Sequence, residues 1–367
     1  MEFADDDFSQ YTESIFIPFI FKFSSKHTPQ VLCTIEGIDI EMPVDTGSTG
    51  LLIGAPILPS VPSSAGIPAH HFFSSSMILY VGRLVELAVS FVGEHGSYAT
   101  STVPVLVVDR SWRCPWYDPI KDGSECPLSP TGEKPLERDT RRITYMGVGF
   151  GRNGRKDGMP YGAPQINPFL NIETIDGFPV PPESLRAGYV ISTKGIQLGL
   201  TSKALQDFVF TNLEPGLTHA DDPRDWAMLK TCFEFNDGVE SCGEGLIDTG
   251  IAQMYIRPRD DVSIPTKLIR NPNKNGYAKL VKRVVAGTNI TIGFPTLEAP
   301  AISYSFAVSD GLSHSMEPSY VVPAKPVAGP FVNTGRNFLY GYSIAFDAVG
   351  GRFGFRPNSS QSSMSVL

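Results

Sequence analysis

The sequence predicts an all-β protein made of two related halves, and three observations carry the prediction. Short alternating or β-branched runs recur along the chain, among them "SIFIPFIFKF", "VLCTIEGIDIEMPV", "RLVELAVSFV", "TVPVLVVD", "GYVISTKGIQLGL", "RVVAGTNITIGF" and "YSIAFD". Alternation over about four to eight residues marks half-buried strands. The 35 glycines and 31 prolines are scattered, as turns between many short strands require. The tripeptide Asp-Thr-Gly occurs twice, at 45–47 and 248–250, each time after an apolar strand. Background composition yields one such tripeptide by chance in roughly one chain in ten of this length. Two in opposite halves point to a duplicated unit.

At 367 residues the chain is long for one core. We divide it into an N-terminal β lobe, 1–190, carrying Asp45, and a C-terminal β lobe, 191–367, carrying Asp248. Helical patterns are few and short, for example "TSKALQDFVF" at 201–210. Apolar residues make up 41% and charged residues 19%, a composition that packs. A net charge of −8 fits simple solubility. No basic stripe interleaves with aromatics, which argues against nucleic acid. No run of about 18 apolar residues exists, so no membrane span is expected. The opening "MEFADDDFSQ" lacks the basic start and apolar run of a signal peptide.

Residues 113–142 are polar and proline-rich and read as an inserted surface loop. Of five cysteines, Cys114 and Cys126 lie close together, as do Cys232 and Cys242. Both pairs sit in polar stretches and read as loop-stapling disulfides, whereas Cys33 in "QVLCTI" reads as a buried free thiol. Neither pair has metal or redox spacing. Asn289 and Asn358 open glycosylation sequons. Disulfides and sequons together suggest a secreted or secretory-pathway protein.

Other motifs carry less. His70 and His71 are adjacent, would point apart on a strand, and read as surface histidines; no metal site is expected. "GFGRNGRKDG" at 149–158 lacks the Lys-Ser/Thr of a phosphate loop and reads as an ordinary loop. No G-x-S-x-G supports a serine hydrolase.

The two Asp-Thr-Gly turns carry the chemistry. A lone buried carboxylate is costly, but two brought together share one proton. One then stays an acid while the other acts as a base, and a water held between them is activated. Gly47 and Gly250 allow the backbone to pass close to the carboxylates. Thr46 and Thr249 can hydrogen-bond across to the opposite half. Ser48 can donate to the outer oxygen of Asp45.

In these features the chain resembles the pepsin family of aspartic proteases, over nearly its whole length. The resemblance rests on "VDTGSTGLLIG" at 44–54, "ILYVG" at 78–82, "ITYMGVGFG" at 143–151, "GLIDTGIA" at 245–252 and "GRNFLYGYSIAFDAVGGRFGF" at 335–355. Gly335, Phe346, Asp347, Gly354 and Phe355 fit the spacing of the last pattern. The resemblance implies two β lobes with an active cleft between them and a few short helices. It implies Asp45 and Asp248 as the catalytic pair, with no cofactor. Tyr80 and Gly82 would belong to the flap, the hairpin that closes over substrate. A monomer is expected.

Four departures stand out. Ile251 replaces the Ser or Thr expected beside Asp248, so Asp248 loses an outer hydrogen bond and its pKa should rise. Asn333-Thr334 precede Gly335 where apolar residues are usual. The flap is short, since "YVGRLVELAVSF" passes directly into a returning strand. Leu52 replaces the tryptophan that would buttress Tyr80. Two functions follow: an acid-optimum endopeptidase taking peptide in the cleft, or the same fold put to other use. The second is an acid/base catalyst of an apolar small molecule (cyclisation, dehydration or isomerisation) or a binding protein.

Overall fold

The computed structural model describes residues 8–152, 163–272, 278–309, 315–324 and 329–358. It is all-β, as predicted. Among the described residues every helix is a short 3₁₀ turn, and none is long and apolar enough to cross a membrane. The predicted helix at 201–210 does not form: a series of turns leads into strand Val209–Asn212. Phe208 and Phe210 there pack on the small cluster of Val190, Leu200, Leu205 and Ala345, so packing overrides a weak local propensity.

Period-2 burial builds the first large sheet. Val31, Cys33 and Ile35 of strand Gln30–Ile35 face the core, as do Ile40, Met42 and Val44 of strand Ile38–Asp45. Cys33 is the buried free thiol expected, and burial pushes its pKa up to about 12. Strand Thr49–Gly54 is buried at every position, as suits a strand deep inside a sheet. These strands join Thr144–Val148, Ile78–Val92 and Tyr98–Arg113 in a ten-stranded sheet. The last two also pair with each other, which closes part of the sheet into a barrel.

A seven-stranded sheet repeats the central arrangement. In the first sheet, strand Thr144–Val148 lies between Ile38–Asp45, to which it is parallel, and Thr49–Gly54, to which it is antiparallel. In the second, strand Phe331–Asn333 lies between Ser241–Leu246, parallel, and Met254–Arg257, antiparallel. Each Asp-Thr-Gly turn therefore leaves one strand and returns two places away, with a third strand inserted between. A six-stranded antiparallel sheet takes Ile15–Pro18, Gly188–Ile191 and Gly195–Leu198 together with the C-terminal strands Tyr342–Asp347 and Arg352–Pro357. The expected boundary at 190 falls within its strand Gly188–Ile191. One buried apolar cluster includes residues of all three sheets. Phe150 stacks on Phe346 with centroids 4.1 Å apart. Asp347, fully buried, accepts both Arg186 and Arg352 as ion partners at 2.9 Å. Such a pair is retained because removing one member would strand a buried charge.

Both disulfides form as paired in sequence. Cys114–Cys126 closes the 113–142 insertion, which Trp116 braces by donating to the Pro127 carbonyl at 2.5 Å. Cys232–Cys242 does not staple a loop: the two residues are direct partners on adjacent strands. His71 is not a surface histidine. It is wholly buried on strand Ile67–Phe73, edge-on to Phe73 at 4.4 Å, and burial lowers its pKa to about 3. The first seven residues and 153–158 of the glycine-rich stretch lie outside the described residues, while 149–152 form no regular element.

Candidate active site

The sheets bring the two Asp-Thr-Gly turns face to face. Thr46 and Thr249 interlock them: the Thr46 amide donates to Thr249 Oγ1 at 3.1 Å, and the Thr249 amide donates to Thr46 Oγ1 at 3.0 Å. Each hydroxyl then donates to the carbonyl just before the opposite aspartate, Thr46 to Ile247 at 2.5 Å and Thr249 to Val44 at 2.6 Å. These buried groups are satisfied only by one another, so the interlock also sets the spacing of the carboxylates. Gly47 lies against the Asp248 carboxylate, and Gly250 against that of Asp45. A Cβ at either glycine would collide with the opposing carboxylate. That close reciprocal approach explains both glycines.

The carboxylates of Asp45 and Asp248 face each other across the paired turns, each against the glycine of the opposite turn. Asp248 is 7% exposed. Burial, and then the neighbouring Asp45 charge, push its pKa up to about 7. Asp45 accepts from the Gly47 amide at 2.7 Å, from the Ser48 hydroxyl at 2.9 Å, and from the Tyr145 hydroxyl. Asp248 accepts from the Gly250 amide at 2.8 Å and from Asn333 Nδ2 at 2.7 Å. Three donors against two favour the negative charge on Asp45 and the shared proton on Asp248.

Tyr145 and Asn333 escaped the sequence reading, and they occupy equivalent places. Each stands two residues before a glycine, Gly147 within its inserted strand and Gly335 just past the end of its own. Each donates to Oδ2 of its own aspartate. The Gly335 amide donates to Asn333 Oδ1 at 3.0 Å, which turns the Nδ2 toward Asp248. Asn333 thus supplies the outer hydrogen bond that Ile251 cannot, and the loss expected at Ile251 is made good from another strand. The signal was present as the unusual polar residue at 333. Burial and the Asp45 charge hold the Tyr145 pKa well above its usual value, so its hydroxyl stays a neutral donor.

Tyr80 and Gly82, expected in the flap, lie on one arm of the hairpin made by strands Ile67–Phe73 and Ile78–Val92, beyond its turn. Both lie inside the continuous strand Ile78–Val92, and the hairpin turn precedes them at 74–77. Gly82 marks a register shift where the strand passes tightly against the Val107 carbonyl. Tyr80 is buried among Leu52, Phe73 and their neighbours, edge-on to Phe73 at 5.6 Å. Its hydroxyl accepts from Arg138 of the insertion at 3.2 Å. Phe73 also packs on Tyr145, with centroids 4.7 Å apart. The aromatic wall beside Asp45 is therefore fixed by sheet packing.

Of the sequons, Asn289 is exposed at the start of its strand. Asn358 is not available: its Nδ2, the atom a glycan would occupy, donates to the Leu339 and Tyr340 carbonyls at 2.8 and 3.2 Å. Among the described residues the one cluster with metal-ligand spacing is Cys232, Glu240 and Cys242, whose thiols are already joined in a disulfide. No protein-family model matches the chain, and no curated protein matches it.

Proposed function

We propose that the chain is an aspartic-type endopeptidase of pepsin-like fold, with two related β lobes and the Asp45–Asp248 pair between them. The observation that carries this reading is the facing pair of carboxylates, each against the opposite turn's glycine and gripped by reciprocal Thr46–Thr249 bonds. In the proposed reaction Asp45, the better-donated carboxylate, takes a proton from a water held between the two. Asp248 gives its proton to the carbonyl oxygen of the scissile amide, and the resulting tetrahedral centre collapses with protonation of the leaving nitrogen. Tyr145, Ser48 and Asn333 fix the outer oxygens, so the inner oxygens keep their aim at the water.

One observation favours a second reading. Tyr80 sits on one arm of the hairpin turned at 74–77, but it is buried against Leu52 and Phe73 and held by Arg138, so it is not free to close over an extended peptide. The same acid/base pair could then serve a small apolar substrate. Incubation with an unfolded protein between about pH 3 and 6, where a carboxylate pair holds one proton, separates the two. Cleavage stopped by a pepstatin-type inhibitor and by Asp45→Asn supports the peptidase. A folded protein that cleaves nothing across that range excludes it.

A further inference from the structure

Arg336 lies at the back of the site and has no place in the reaction above. It is 4% exposed. Its guanidinium donates to the Thr249 carbonyl at 3.0 Å and the Gly250 carbonyl at 2.6 Å, the two carbonyls that follow Asp248. Its remaining bonds go to Thr28 Oγ1 at 3.0 Å and the Ser25 carbonyl at 3.4 Å. Every partner is a neutral oxygen, and no carboxylate pairs with it directly among the described residues. A buried cation without a counter-ion is costly. The charges that act on it are those of Asp248 and Asp45, whose turn its guanidinium holds through the Thr249 and Gly250 carbonyls.

We propose that Arg336 is the fixed counter-charge of the aspartate pair, a positioning residue that sets the pH range over which the pair is singly ionised. The inference rests on the pair acting as an acid/base unit. One stretch, Asn333 to Arg336, then serves Asp248 twice: Asn333 holds its outer oxygen and Arg336 holds the backbone behind it. Burial lowers the Arg336 pKa, and the charges of Asp248 and Asp45 oppose that shift. Reciprocally, a guanidinium behind the turn favours the ionised form of the pair. The other titratable groups around it are few. Tyr340 accepts from the Ser25 amide at 3.1 Å, and Tyr145 faces Asp45 from its own strand. Lys26 and His27, on the segment that Arg336 touches, are exposed to solvent.

The test compares Arg336→Gln, which keeps a donor and loses the charge, with Arg336→Lys, which keeps the charge. In the pH profile of kcat/KM for peptide cleavage, Arg336→Gln should move both limbs upward by about one pH unit, and Arg336→Lys should leave them in place. A purely structural arginine would lower the profile without moving it, and unmoved limbs in Arg336→Gln overturn the proposal. A second measurement needs neither turnover nor a variant. In the wild-type protein, the 15Nε–1H resonance of Arg336 should titrate with the same midpoint as the 13Cγ resonances of Asp45 and Asp248. A resonance that ignores that midpoint overturns the counter-charge. A protein that cleaves nothing yet shows the shared titration would sink the peptidase reading alone.

Discussion

Asn333 donates to Oδ2 of Asp248 from the place in its sheet that Tyr145 holds relative to Asp45. The two halves thus keep the same hydrogen-bonded design with different side chains, an amide in one and a phenol in the other.

Replacing Asn333 with Leu should lower kcat/KM by about 10- to 100-fold, the range for a hydrogen bond to a charged group. It should also move the alkaline limb of the pH profile upward, because Asp248, which holds the shared proton, loses a donor that lowers its pKa. If Asn333 compensates for Ile251, then Ile251→Ser in the Asn333→Leu background should recover part of the loss. Steady-state kinetics of the double variant check this, and no recovery would show that position 251 cannot reach the carboxylate.

Stability should depend on Asp248 in a defined direction. Its folded pKa is raised, so the folded state binds the proton more tightly than the unfolded chain, whose Asp titrates near about 4. The stabilisation is complete below the unfolded value and is lost as pH rises through the raised folded value. Melting temperature should therefore fall from about pH 4 toward neutrality. Asp248→Asn should flatten that slope and be more stable than wild type at pH 8. Calorimetry across the range reads both, and equal slopes would remove Asp248 as the cause.

Tyr80 and Tyr145 should separate cleanly. Tyr80→Phe loses the Arg138 bond, costs about 1 kcal/mol of stability and leaves kcat nearly unchanged. Tyr145→Phe should lower kcat at least tenfold through Asp45. Urea titration alongside kinetics distinguishes the cases. A large kcat loss for Tyr80→Phe would restore a covering role to that tyrosine.

Expression through a glycosylating secretory pathway should place one glycan, at Asn289. Intact mass should fall by that glycan in Asn289→Gln and be unchanged in Asn358→Gln. Loss of mass in Asn358→Gln would mean that the bonds to Leu339 and Tyr340 do not hold in the folding chain.

The sequence alone determined the strand-rich class, the free buried Cys33, the two cysteine pairs and the doubled Asp-Thr-Gly turn. Each is encoded locally, in side-chain period or in the order of a few neighbours. Thr46 and Thr249 were also legible, because each sits one place after its aspartate and has only the opposite turn to face. What only the tertiary structure decided depends on contacts between remote strands. Asn333 repairs Ile251 across 82 residues of chain, Arg138 of the insertion satisfies Tyr80, and Arg336 backs the second turn. Tyr80 became part of a packed wall because strand pairing on both sides extended Ile78–Val92 through it. A side chain's type states what it can donate or accept; which partner it meets is settled by where the sheets bring their strands together.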